Sequence, residues 1–414
     1  MKGFILWCAV ALATTAFVGV ATAQKSVPSA GLTEVEVRTV QATQAPPIYR
    51  VDLRGDFQPA QDPDPYIYLQ TMFARWNDAG AYGFSFFSFS GGRIIGDDVV
   101  LLGGAPDPGT GYSTTTPAAS ASEITFALLT VDGVGGTLGL QIDIHPWNGL
   151  FGSAAAPSIG SAAFTLNIPP APTPPGFAII LITVPVQNLA LPKAFWVVFT
   201  PDLSQSTINL ANVGLLIANG TPGNVSMLPG RGYFRVATPP TAFTAVTGGS
   251  VFAGLPQGSF YMAIRGKHNF VGTIDLAALS ARAKPSDPLA FEFDDDPQGD
   301  PDEGIEEGLR RNLVDVEVVN DSGTIPFTSR FTTYLDENGR FSLPVTNAIA
   351  SITIRRWDNG LKVTFNRPAG GWSTDVFNPT TATAQMIFGD VNGDGAINDT
   401  DLLAVLFGFG NSEQ

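Results

Sequence analysis

The sequence predicts an all-β protein: a large antiparallel β-sandwich, a smaller β-sandwich after it, and a short loop with a helix at the C-terminus. Three observations carry this. Short runs rich in β-branched and aromatic residues recur between Gly, Pro, Asn and Asp turns. The 414 residues include 45 Gly, 32 Pro and 29 Phe, which supply many turns and ring-bearing strands. Apolar spacing at the helical period over ten or more residues is nearly absent.

The N-terminal segment, residues 1–23, reads as an export signal. Lys2 is the positive start, Phe4 to Val20 the apolar stretch, and Ala21-Thr22-Ala23 a small-residue cleavage site before Gln24. A membrane anchor is the other reading, but Thr14 and Thr15 interrupt the stretch and A-x-A ends it. Phe177 to Val186 is too short to span a bilayer and contains Pro185, so no membrane insertion is expected. The protein is therefore expected to be secreted, extracellular or at the cell surface. Its one cysteine, Cys8, lies in the signal, so the exported chain has neither disulfides nor a thiol-based site.

Residues 24–48 are polar and Pro-containing and read as a linker. Residues 49–266 carry the strand-like runs Tyr66 to Leu69, Gly83 to Phe89, Ile124 to Leu129, Ala178 to Val184, Phe195 to Phe199 and Phe260 to Ile264. They read as one body, since single all-β domains of that size are common. Residues 268–388 form a second body: Val271 to Leu276 opens it, Val314 to Val319 alternates as a strand, and Tyr334 to Leu343 reads as a hairpin. There Asn338-Gly339 is expected to supply positive φ, and Leu335, Phe341 and Leu343 to share an apolar face. Turn chemistry at Arg265 to Asn269 predicts that the two bodies fold separately.

Charge narrows the partners. With 22 Lys and Arg against 37 Asp and Glu the net charge is −15, and the run 292–307 contains no cation at all. Such a surface repels phosphate backbones and anionic lipid, so no nucleic acid is expected as a partner. The run reads as a solvated insertion, with a second cation site as the alternative.

Catalytic signatures are missing from the sequence. Neither His145 nor His268 opens an H-E-x-x-H, and no G-x-S-x-G or phosphate loop occurs. Two positioned carboxylates would suffice for glycoside hydrolysis, and Asp97, Asp98, Glu123, Asp132 and Asp143 are the acids to consider. Each reads better as a turn or strand-end residue. The expectation is that the chain is not an enzyme. Trp76, Trp147 and Trp372 sit in turn-like settings beside polar residues, where they could stack on a glycan or simply pack.

The last twenty-five residues hold the one specific signature. Calcium takes six to eight oxygens, and a twelve-residue loop supplies them from positions 1, 3, 5, 7, 9 and 12. Those positions are Asp390, Asn392, Asp394, the Ala396 carbonyl, Asn398 and Asp401, with Gly395 at the sharp turn and Ile397 directed inward. A helix from Asp401 to Phe407 follows. The expected metal is one Ca²⁺.

Three resemblances add to this. The loop, ending on Asp401 rather than Glu, resembles one repeat of a type I dockerin (residues 389–411), which implies a cohesin-like or cell-surface protein partner. The Tyr334 to Leu343 segment resembles the T-D-x-x-G-x-F signature of carboxypeptidase-regulatory-like, prealbumin-type domains, which implies a non-catalytic seven-stranded module common in exported bacterial proteins. Arg93 to Asp98 and Phe195 to Phe199 resemble jelly-roll modules of bacterial surface proteins. Together they imply a surface, adhesion or scaffold protein. The alternative is an accessory component of an extracellular polysaccharide-degrading system, carbohydrate-binding or glycoside hydrolase-associated and attached through its dockerin-like repeat.

Overall fold

The computed structural model describes residues 20–22, 32–35, 37–42, 46–53, 63–70, 75–77, 81–101, 117–146, 157–173, 175–218, 234–237, 249–252, 259–276, 285, 312–321, 327–356, 362–386 and 396–408. It is almost entirely β. The acidic run 292–307 and Trp147 lie outside the described residues.

The first body comprises β1 (Val20–Thr22), β2 (Leu32–Val35), β3 (Arg38–Ala42), β4 (Ile48–Asp52), β5 (Tyr66–Gln70), β6 (Arg75–Asn77), β7 (Ala81–Ser88), β8 (Ile94–Val100) and β9 (Ala119–Thr130). It continues with β10 (Gly136–Pro146), β11 (Gly160–Ile168), β12 (Ala178–Leu191), β13 (Ala194–Asp202), β14 (Val213–Ala218), β15 (Phe234–Ala237), β16 (Gly249–Phe252), β17 (Ser259–Phe260) and β18 (Met262–Lys267). One sheet of 11 strands runs β1-β3-β7-β14-β9-β12-β4, with β5, β6, β17 and β18 branching from it; the other, of seven, runs β11-β10-β13-β8-β15-β16-β2. Pairing is antiparallel except for β12 with β4 and β16 with β2.

The core between the sheets is built from alternate residues of facing strands, including Ile124, Phe126 and Leu128 of β9 and Phe195, Val197 and Phe199 of β13. The opposite face of the larger sheet is also buried, through Phe84, Phe86, Ala127, Leu129, Ile179, Leu181 and Leu216. This explains the unbroken apolar runs of β9, β12 and β14, because a strand covered on both faces has no reason to alternate.

The expected linker 24–48 is corrected by the structure. It contains β2 and β3, and Val40 and Ala42 are fully buried. In residues 33–42, Thr-Glu-Val-Glu-Val-Arg-Thr-Val-Gln-Ala, Val35 and Val37 and then Val40 and Ala42 alternate with polar residues in two short registers separated by Arg38-Thr39, and the polar setting disguised them.

The second body comprises β19 (Phe270–Asp275), β20 (Leu313–Asn320), β21 (Phe327–Tyr334), β22 (Arg340–Leu343), β23 (Ile349–Arg356), β24 (Lys362–Asn366) and β25 (Thr380–Gln385). They form a three-stranded sheet, β22-β19-β25, and a four-stranded one, β21-β20-β23-β24. Phe270, Phe341, Phe365 and Trp372 meet in tilted ring contacts of 5.0–5.9 Å at the centre. Gly272 is required there: a Cβ built on it would lie 2.2 Å from Cζ of Phe341.

Leu335, Phe341 and Leu343 are buried as expected, but Tyr334 to Leu343 is not a hairpin within one sheet. β21 pairs with β20, whereas β22 pairs with β19, so the turn carries the chain from one sheet to the other. Only Gly339 has positive φ, at +73°. Asp336 stabilises the corner instead, its Oδ1 accepting the N–H groups of Asn338 at 2.9 Å and Arg340 at 2.8 Å.

The junction between the bodies, whose turn chemistry suggested separate folding, is crossed by side-chain contacts. Arg265, 6 % exposed, reaches from β18 to Glu337 at 2.8 Å and Asp336 at 3.6 Å, and to Glu123 at 3.1 Å within its own body. It also donates to the Tyr66 hydroxyl at 2.8 Å and lies over that ring at 4.0 Å. Arg340 donates to the Pro63 carbonyl at 2.6 Å, and Tyr334 packs into the first body's second core. His268, fully buried, bonds the Ala118 carbonyl through Nδ1 at 2.9 Å.

Candidate functional site

The candidate calcium loop runs into helix α1 (Asp399–Gly408). Asp390, Asn392 and Asp394 lie outside the described residues; Ala396, Asn398 and Asp401 lie within them. Asn398 caps the helix: its Oδ1 accepts the Thr400 N–H at 2.8 Å and also bonds the Thr400 hydroxyl. Asp401 reaches back, its Oδ2 accepting the Asn398 N–H at 2.9 Å, so the pair forms a reciprocal capping box. Residues 396–400 are exposed, as are Leu402 and Leu403, yet Asp401 is only 2 % exposed. Ile397 is 64 % exposed, not directed inward as its place in the loop suggested.

The donor set fits a hard cation on chemical grounds. Carboxylate and amide oxygens are what calcium takes, and a buried carboxylate at the closing position needs compensation. Asn398 Oδ1 is engaged by the helix N-terminus, which suits a position that acts on the metal through water. Among the described residues no group of three or more His, Cys, Asp or Glu side chains is placed to hold a metal.

The acids considered for catalysis are dispersed into structural tasks. Asp97 of β8 is fully buried between the sheets, its Oδ2 accepting from the Ser259 hydroxyl at 2.7 Å and the Phe260 N–H at 3.0 Å. Burial, reinforced by the neighbouring Asp98, pushes its carboxyl up to about 8. Asp98 is 2 % exposed on the same strand. Glu123 of β9 pairs with Arg265 of the neighbouring strand β18, 3.1 Å away. Burial opposes ionisation of Asp132, but the Val134 and Gly135 N–H groups outweigh it, and the carboxyl is held below its ordinary value. Asp143 accepts from the Gln141 amide at 3.0 and 2.9 Å, and the same amide also reaches the Ser161 hydroxyl at 3.3 Å.

Trp372 belongs to the second core, 4 % exposed, its indole N–H donating to the Ile349 carbonyl at 2.7 Å. That tryptophan packs and offers no face to a sugar. His145 is 9 % exposed in β10, opposite Trp196.

Sequence reading missed the Arg265 cluster. Burial opposes a charge on Arg265, yet Tyr66, Glu337 and Glu123 carry its affinity for the proton above the ordinary value. Burial likewise pushes Asp336 up to about 6. The available signal was an Arg at the end of an apolar strand, Tyr261 to Arg265, which needed partners that only the fold could supply.

Comparison with protein-family models and with curated proteins finds no match.

Proposed function

We propose that this chain is an exported, non-enzymatic, calcium-binding β protein that acts as an adhesion, scaffold or matrix component at or outside the cell surface. One observation carries the calcium reading: Asp401 is buried in a loop whose other described residues are exposed, and it closes that loop by accepting the Asn398 N–H. The remaining ligands would be Asp390, Asn392, Asp394, the Ala396 carbonyl and, through water, Asn398. Calcium would neutralise acids that repel one another without it and so order the segment leading into the helix. Seven described strands divided three and four support the prealbumin-type reading of the second body. The structural employment of the acids in the first body supports a non-catalytic role.

Calorimetry tests the central claim. Wild type should bind one Ca²⁺, Asp390→Ala with Asp394→Ala should bind none, and Asp399→Ala should bind nearly as wild type. Undiminished binding by the double variant would overturn the loop assignment.

A further inference from the structure

We infer that the outer edge of β11 is a self-association surface, through which two copies of the chain join their seven-stranded sheets edge to edge. β11 ends its sheet: all nine residues, Gly160 to Ile168, pair in unbroken antiparallel register with β10, and no described strand pairs with its other side. An edge of that kind presents a row of backbone donors and acceptors, and proteins ordinarily block it with charge, proline or a bulge.

Most other sheet-ending strands here carry such blocks, and β1, which does not, is only three residues long. β4 has Arg50 and Asp52, β2 has Glu34, β21 has Arg330, β22 has Arg340 and β24 has Lys362. Past Thr183, where β4 stops, the edge of β12 has Pro185 and a bulge containing Asn188 at φ 46°. β5 is buried at every position, and the uncharged β25 lies against β24. β11, Gly-Ser-Ala-Ala-Phe-Thr-Leu-Asn-Ile, has no charge, no proline and no bulge.

The occupant is argued from β11 itself. Pair the strand antiparallel with its own copy about Phe164, and residues on the inner face meet as Gly160 with Ile168, Ala162 with Leu166, and Phe164 with Phe164. Each small residue then faces a large one. On the outer face Ser161 meets Asn167 and Ala163 meets Thr165, so no charge is brought opposite another.

The small end is also where the sandwich gapes. A cleft of about 210 Å³ opens beside Gly160 and Ala162, lined by Ile142, Ile144, Val184 and Leu189. The large inner residues of the second copy would close its mouth. The two-fold axis stands perpendicular to the sheet, which keeps both inner faces on one side and makes the contact isologous.

Charge sets the conditions. The full chain carries −15 and its exported form, without Lys2, −16, so a neutral edge is the place where two copies can approach, and salt should strengthen the contact by screening the rest. One strand pair covers less than the roughly 1,000 Å² expected of a stable interface, so the dimer should be a weak one.

Sedimentation equilibrium of the full exported chain tests this at about 10 µM to 1 mM, a range matched to weak association. The dimer fraction should rise with concentration and again with added salt. Ala163→Glu with Thr165→Glu sets like charges directly opposite twice and should weaken dimerisation about tenfold or more. Circular dichroism checks that these exposed positions leave the fold intact. A variant with Ala163→Lys and Thr165→Lys, mixed with the Glu variant, should restore dimer as the heterodimer. A wild type monomeric throughout, a dimer indifferent to the Glu variant, or a mixture that stays monomeric would each overturn the inference.

Discussion

Replacing Asp97 with Asn should change the sign of its effect on stability between mildly acid and mildly alkaline pH. Asp97 is fully buried, and burial raises its carboxyl from 3.8 when unfolded to about 8 when folded. The folded state therefore holds a proton that the unfolded state has released. The corresponding stability is complete below about pH 3.8 and is lost as pH rises through about 8. At pH 7 that interval amounts to roughly 4 kcal/mol at most, reduced toward about 2 if the core relaxes around the anion. Asn keeps an oxygen for Ser259 and Phe260 but cannot ionise. It leaves amide donors in the core, at a cost of about 1–3 kcal/mol. The variant should be no more stable than wild type at pH 5 and clearly more stable at pH 8. Urea unfolding of both proteins at each pH gives the difference, which should grow by about 1 kcal/mol per pH unit. Parallel profiles from pH 5 to 8 would refute the reasoning, since they would mean that Asp97 is already ionised in the folded protein.

Three further outcomes follow from the junction and the second core. Arg265→Met removes the cation beside the buried Asp336 and should cost about 3–5 kcal/mol; scanning calorimetry should resolve two transitions where wild type gives one. Gly272→Ala must displace the Phe341 ring and should cost about 1–3 kcal/mol by urea unfolding, partly recovered when Phe341→Leu is added. Burial depresses His268 from 6.5 to about 4, so its stabilisation is present above pH 6.5 and lost as pH falls through 4; ring resonances in NMR should show neutral imidazole at pH 5.

What could be read from the sequence was what short-range pattern encodes. The apolar runs of β9, β12 and β13 announced themselves, and so did the apolar triad Leu335, Phe341 and Leu343. Double-sided burial of the larger sheet was present too, in the failure of Ala178 to Ile182 to alternate, although its meaning appears only once a second core lies against Leu181. Residues 33–42 show the opposite case: their two short alternating registers were genuine, but a polar setting hid them. What depends on contacts distant in the chain was not legible. Nothing local tells that Arg265 will meet Glu337, 72 residues on, or that Asp97 will meet Ser259, 162 residues on. The Tyr334 to Leu343 turn looked like a hairpin because a corner between sheets uses the same Gly and Asp chemistry.

Carboxylates link these observations, because in an acidic chain each buried one must be compensated or neutralised. Asp97 meets the requirement by keeping its proton. Asp132 meets it through two backbone N–H groups and the Asn212 amide, and the partly buried Glu123 and Glu337 share Arg265. Asp401 is 2 % exposed, and its Oδ2 accepts the Asn398 N–H. The sequence around it adds Asp390 and Asp394 rather than Lys or Arg, and no cation of the chain lies between Arg367 and the C-terminus. The regular spacing of these oxygen donors remains the reason for proposing calcium there.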